Sequence, residues 1–266
     1  MLNITKQQHF KLMLILNLNV MNYLRIIILL TIFSFAFGCK KDNSFKPSSG
    51  YIEPVDFLSD KKYKMLIVEI NYVQGYMPTK ETIDNMVNFL SGRLNKPKGV
   101  KVTMKSIPSP RKSSFSHSDV VYLEKMHRKH FPLGDILTAH ILFLDAGYIQ
   151  DTDNTKYLGI AYGATSIAIF QKTVSDYSGG ITQPTNEVLE TTIVNHEFGH
   201  VLGLVNNGTS MQTNHQDNDH GHHCDNNTCL MYYEMETTDI VGNLVGGNIP
   251  ELDQNCITDL RSNGGK

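Results

Sequence analysis

The stretch Glu190-Thr-Thr-Ile-Val-Asn-His-Glu-Phe-Gly-His-Val-Leu-Gly-Leu204 decides how this chain is read. On a helix, residues four apart share a face, so His196 and His200 can offer both imidazoles to one metal ion. Glu197 sits one position round, where its carboxylate reaches a water at the metal without competing for the metal. Leu189, Ile193, Val194, Phe198, Val201 and Leu202 cover more than one side of that helix. Such a helix is largely buried, packed on a sheet, with its histidines opening into a cleft. Thr185 or Asn186 is placed to cap its start, and Gly203 follows its last apolar residues.

The chain before this helix alternates strands and helices. Met65–Val73 is an apolar, β-branched run and reads as a strand. Pro78-Thr79 opens a helix with Ile83, Met86, Val87, Leu90 and Leu94 at helical spacing, stopped by Asn95-Lys-Pro97. Val100–Ile107 alternates as a second strand, and Ser118-Asp119 caps a helix running to about His130-Phe-Pro132. His140–Asp145 is a continuous apolar run, as in a strand covered on both faces. Gly159–Phe170 is a further strand region, interrupted at Gly163. The expected fold is therefore α/β (α+β), a sheet with packed helices that ends on the His196 helix. Beyond Gly203, Gly, Asn, Asp and His dominate to about residue 228, which predicts an irregular lower part closed by a short helix from Pro250-Glu251 to Leu260. The expected body is 62–266, divided into 62–203 and 204–266.

The N-terminus reads as a targeting segment. Arg25 precedes the apolar run Ile26–Phe37, and Gly38 precedes Cys39, the layout of a secretory signal; the run is too short for a comfortable membrane span. Met21 is a plausible true start. Ala36-Phe-Gly-Cys39 resembles a bacterial lipobox, which implies lipidation of Cys39, a polar tether over 39–61 and a domain held at the cell envelope by its N-terminal lipid. Lys6, Lys11 and Arg25 are the basic residues of 1–38, which has no acid, so 24 − 3 leaves 21 basic against 26 acidic residues, a net charge of −5. That balance, without a basic aromatic stripe, argues against a nucleic-acid partner. Outside the cytoplasm, Cys224 and Cys229 could pair as a disulfide and leave Cys256 odd; alternatively the three thiols and a histidine could hold a structural zinc.

His196-Glu-Phe-Gly-His-Val-Leu-Gly203 resembles the first eight positions of the metzincin zinc signature, and Cys229-Leu-Met-Tyr-Tyr233 resembles the Met-turn of that family. Position 206 is Asn where the compact signature places its third histidine. Downstream, His215, His220, His222 and His223 crowd together, and six of the chain's eleven histidines fall between 196 and 223. His223-Cys224, followed by Cys229 and Met231, is similar to archaemetzincins, in which a zinc-binding histidine immediately precedes a cysteine. The resemblance implies a metzincin-like twisted mixed sheet, an active-site helix, one catalytic zinc on His196, His200 and His223, and a loop inserted after the glycine turn. His215 and His220 remain alternatives for the third ligand. It further implies Met231 as the apolar floor, Tyr233 in the turn, and an extended peptide or protein substrate lying along an edge strand at Ala164–Ile169. Archaemetzincins also hold a structural zinc through later cysteines, of which only Cys256 follows Met231 here.

Three neutral imidazoles leave a zinc coordination position open, and Glu197 would take the proton of an attacking water and pass it to the leaving nitrogen of a peptide bond. Two other readings remain open at this stage. One is a gluzincin-like peptidase with Glu234 or Glu236 as third ligand; the other is a lipid-anchored zinc- or peptide-binding module without turnover. The loop Asn214–His220 could also bind a second cation, zinc or calcium, through Asp217 and Asp219.

Overall fold

Near-continuous burial along Met65–Val73 (β1) marks an internal strand of a sheet covered on both faces. The structure, a computed structural model, describes residues 51–266. The expected leader 1–38, the lipidation site Cys39 and residues 39–50 of the expected tether lie outside them. Among the described residues a five-stranded sheet forms from β1, Val100–Ile107 (β2), Ile136–Phe143 (β4), Gly159–Tyr162 (β6) and Ser166–Ile169 (β7), in the order β2-β1-β4-β7-β6. The pairs β1–β2, β1–β4 and β4–β7 are parallel and β6–β7 is an antiparallel hairpin. Ser114–Phe115 (β3) and Gly147–Tyr148 (β5) make a separate two-stranded pair. The architecture is mixed α/β with a mostly parallel central sheet, as expected.

The sheet order corrects one expectation. The segment Ala164–Ile169 contains β7, which is internal, while the exposed edge on that side is β6. Both runs are short and apolar, so pattern alone gave no way to rank them.

Helices form where capping and apolar spacing agree. Lys80–Arg93 (α2) is capped by the Thr79 side chain, which accepts from the Thr82 amide, and it buries Met86 and Leu90. His117–His127 (α3) is capped by Ser116, two residues before Ser118, because Ser116 and Asp119 form a reciprocal capping box. Gln171–Asp176 (α4) is a short helix that the sequence pattern did not indicate. Asn186–Val201 (α5) carries the opening stretch; Thr185 caps it by accepting from Val188, and it is buried along nearly its whole length. Gln254–Ser262 (α6), capped by Asp253, closes the chain.

Pro54–Leu58 (α1) corrects the lower bound of the folded body. Phe57 and Leu58 are fully buried, so these residues belong to the core and not to a solvated tether. Buried Lys96 fixes this corner by donating to the main-chain carbonyls of Asp56 and Tyr63, each at 2.9 Å. One continuous apolar core runs from Phe57 through β1, β4 and α5 to Leu260, so residues before and after Gly203 share it. No helix among the described residues is long and apolar enough to cross a membrane.

Candidate metal centre

The end of α5 builds the first part of the site. Gly203 lies in the left-handed region at φ +77°, and the Gly203 and Leu204 amides donate back to His200 and Gly199 at 3.0 and 3.1 Å. This is a Schellman-type stop, for which glycine removes the steric cost. Asn206, also left-handed at φ +59°, carries the chain onward instead of supplying a ligand.

The inserted segment returns by pairing with itself. Gln216 bridges Cys224, the Asp217 amide donates to His223 O at 2.8 Å, and the Asp225 amide donates to His215 O at 2.9 Å. The Cys224 amide then reaches Met231 O at 2.7 Å, which docks the returning strand on the turn. Successive side chains of an extended segment point to opposite sides. His223 accordingly faces His196 and His200, while Cys224 faces a second group of potential ligands.

Four side chains converge in the first group: His196, His200, His223 and Glu236 have ligand atoms within 4.8 Å of one another. His196 Nδ1 donates to Leu230 O at 2.7 Å and His223 Nδ1 donates to His220 O at 2.6 Å, so in each ring Nε2 is left facing inward. The Nε2 atoms of His196 and His200 stand 3.1 Å apart. Two nitrogens of a tetrahedral zinc site are about 3.3 Å apart, given Zn–N bonds of about 2.0–2.1 Å. Glu197 is fully buried and neither carboxylate oxygen has a hydrogen-bond partner; His223 Nε2 is likewise buried and unpartnered. Unpaired polar atoms aimed at one point in a dry interior are costly unless a cation sits among them, so these residues fit a divalent metal.

Electrostatics point the same way. Burial, then the charge of His223, holds His196 down to about 4, and burial, then His196, holds His200 well below the usual imidazole range. Both rings are therefore neutral near pH 7, the form that ligates. Burial and then the nearby Glu236 push Glu197 well above the ordinary carboxylate value. Burial would lower His223, but Glu236 outweighs it and raises the ring's affinity for a proton.

The surroundings are shaped for a cleft. Ile160 and Ala161 of β6, with Gly163, Glu197, Asn207 and His222, help line a cavity of about 280 Å³ over the histidines. A larger hollow of about 640 Å³, beside Lys112, Asp145 and Lys172, shares no lining residue with it. Met231 is fully buried beneath α5, and a Cβ on Gly199 would overlap its sulfur. The apolar floor thus requires a glycine inside the helix.

The histidine alternatives for the third position, His220 and His215, lie elsewhere, whereas Glu236 is in the group and Glu234 is turned away to Asn243. His220 stacks on Tyr233, with ring centroids 3.6 Å apart, and pairs with Asp217 at 2.6 Å. The Tyr233 hydroxyl donates to Glu234 Oε1 at 3.3 Å, so it is engaged away from the histidines. Asp217 also accepts from the Asp219 amide at 3.0 Å, which occupies the loop carboxylate expected to bind a cation.

His215 belongs to the second group, with Cys224, Asp253 and Cys256. Its Nδ1 lies 3.3 Å from Cys224 Sγ, and its Nε2 pairs with Asp259 at 2.8 Å. Cys229 Sγ is 3.7 Å from Cys256 Sγ, and all three cysteines are free and buried. Of the two arrangements the sequence left open for these cysteines, the structure has the thiols free and gathered around His215. Hydrogen bonds from Cys224 and then Cys256 hold Cys229 down to about 4, while Cys224 is pushed up to about 11 by that sharing. Asp253 and Asp259 were not singled out from the sequence. Asp253 stands three residues before Cys256 at the start of α6, a spacing that could have flagged it; Asp259 left no local signal.

No family model matches the chain, and no curated protein matches it. Among solved structures it is similar to an archaemetzincin from Methanopyrus kandleri, at 16% identity and a TM-score of 0.49 over 75% of this chain and 96% of that one. It is also similar to metalloproteinase-II from Bacteroides fragilis, at 14% identity and a TM-score of 0.42 over 83% of this chain and 58% of that one.

Proposed function

We propose that this chain is a zinc-dependent metallopeptidase that hydrolyses peptide bonds in an extended polypeptide. The observation that carries the reading is the convergence of His196, His200 and His223 beside the buried, unpartnered carboxylate of Glu197. When bound there, zinc supplies Lewis acidity and brings the pKa of a water to about 7. Glu197, buried beside the three histidines, would take a proton from an attacking water and pass it to the departing amine nitrogen. The open edge of β6 offers main-chain donors and acceptors to a substrate strand, and its residues Ile160 and Ala161 border the cleft. Met231 closes the floor to water.

The second group, His215, Cys224, Asp253 and Cys256, fits a structural zinc, with Cys229 alongside at 3.7 Å from Cys256 and Asp259 orienting the imidazole. Attachment to the cell envelope through Cys39 belongs to the same proposal; loss of lipid labelling in Cys39→Ala would support it, and unchanged labelling would refute it.

Zinc content tests the ligand assignment. Chelator-sensitive cleavage of an unstructured protein is expected from the wild-type chain. His223→Ala should lose one zinc equivalent together with activity, His215→Ala should lose a different equivalent, and His220→Ala should lose none. Full zinc retention and turnover in His223→Ala would refute the assignment; zinc retention with no turnover in the wild-type chain, across broad peptide libraries, would favour a binding module.

A further inference from the structure

Glu236 is not explained by the catalytic reading. It ends the 3-10 turn Tyr233–Glu236, and its carboxylate lies within the group formed by the three histidines, with Oε2 3.7 Å from His223 Nε2. That separation is beyond hydrogen-bond reach, and no other side chain or amide among the described residues donates to this carboxylate. The side chain is only 25% exposed. Its position is imposed by the backbone: Glu236 O accepts from the Leu158 amide at 2.8 Å, Thr237 bridges Tyr157, and the Thr238 amide donates to Lys156 O at 2.9 Å. Lys156 returns a bond to Thr238 Oγ1 at 3.0 Å. Glu234, two residues earlier, is directed elsewhere, accepting from Tyr233 and from Asn243 at 3.4 Å. Of two acids on one short turn, only Glu236 is delivered to the histidines.

We propose that Glu236 is a fourth protein ligand of the metal, so that the resting centre is a closed three-histidine, one-carboxylate site. The inference rests on the reading of His196, His200 and His223 as metal ligands. Charge supports it: a divalent cation among neutral imidazoles is balanced by two carboxylates, and Glu197 supplies only one of them. Four protein ligands are characteristic of a closed centre, whereas catalysis needs one position free. Glu236 must therefore leave before an exogenous group can enter. Its main chain is clamped, so release is a rotation of the side chain alone. The clamp partners Lys156–Leu158 run directly into β6, and a polypeptide docking on that edge arrives beside the carboxylate it has to displace. In this arrangement Glu236 sets the occupancy of the open position, and Glu197 remains free as base.

Acetohydroxamate binding to the zinc-loaded full chain, followed by calorimetry, tests the assignment without relying on turnover. Zinc content is measured in parallel. Glu236→Gln preserves shape and removes a strong ligand, and it should bind acetohydroxamate at least about tenfold more tightly than wild type, equivalent to about 1.4 kcal/mol. Glu234→Gln changes charge equally on the same turn but should bind as wild type does. Equal affinity in wild type and Glu236→Gln would overturn the proposal, as would equal tightening in both glutamine variants, because that pattern reports net charge instead of ligation. His200→Ala separates the two readings: loss of one zinc equivalent there supports the metal site on which Glu236 acts, and no loss overturns that site and this proposal with it. Unchanged hydroxamate affinity in Glu236→Gln, with zinc lost in His200→Ala, removes Glu236 alone.

Discussion

At the scale of single residues, Gly199 makes the sharpest demand. Its Cα leaves room for the Met231 sulfur directly under the ligand pair, and a Cβ would overlap that atom. Gly199→Ala improves intrinsic helix propensity yet should destabilise the chain by about 1–3 kcal/mol, because the overlap with a fully buried methionine outweighs the propensity gain. Chemical denaturation measures it; an unchanged or higher midpoint would mean that Met231 repacks freely. The placing of His196, Glu197 and His200 on one buried helix end was legible because local helical spacing encodes it. His223 was legible only through the adjacent Cys224 and the spacing to Met231. His215 and His220 were indistinguishable from it by pattern, since the pairing of Gln216 with Cys224 decides which ring faces which cluster. Asp253 and Asp259 come from the far end of the chain, and no local periodicity announces a contact across that distance.

At the scale of elements, the long periodic segments were readable and the short ones were not. Hydrophobic spacing located β1, β2, α2 and α5; the burial of β1, α2 and α5 follows the pattern that predicted them, while β2, an edge strand, buries only Ile107. Two-residue strands such as β3 and the short helix α4 carry too few residues to show a period. The edge of the sheet was misplaced for a different reason. Sheet order depends on which strands meet across the chain, and β7 pairs with both β4 and β6, so it cannot offer a free edge to substrate. Under the proposed function, main-chain pairing with a substrate falls to Gly159–Tyr162 and not to β7. The early boundary at α1 has a related origin, since Phe57 and Leu58 lie in a short mixed segment of apolar and charged residues without a period and become core only on folding.

At the scale of the whole molecule, stability and chemistry respond to pH through buried imidazoles. His140, fully buried on β4, donates from Nε2 to Asn71 Oδ1 at 3.0 Å, while its Nδ1 has no partner. Burial, partly offset by the charge of Glu124, lowers its pKa from 6.5 to about 4. The folded value lies below the unfolded one, so this contribution is fully present above about 6.5 and is lost as pH falls towards 4, amounting to roughly 3 kcal/mol. The thermal midpoint of the metal-free chain should fall across that window, and His140→Gln should flatten the slope; an unchanged slope would refute the assignment. The central claim concerns Glu197, buried without a partner beside three converging imidazoles. Zinc content and hydrolysis of an unstructured protein, measured together on Glu197→Gln, test it most directly. Wild-type zinc content with hydrolysis reduced by at least about a hundredfold is the predicted result; zinc retained with undiminished hydrolysis would contradict it.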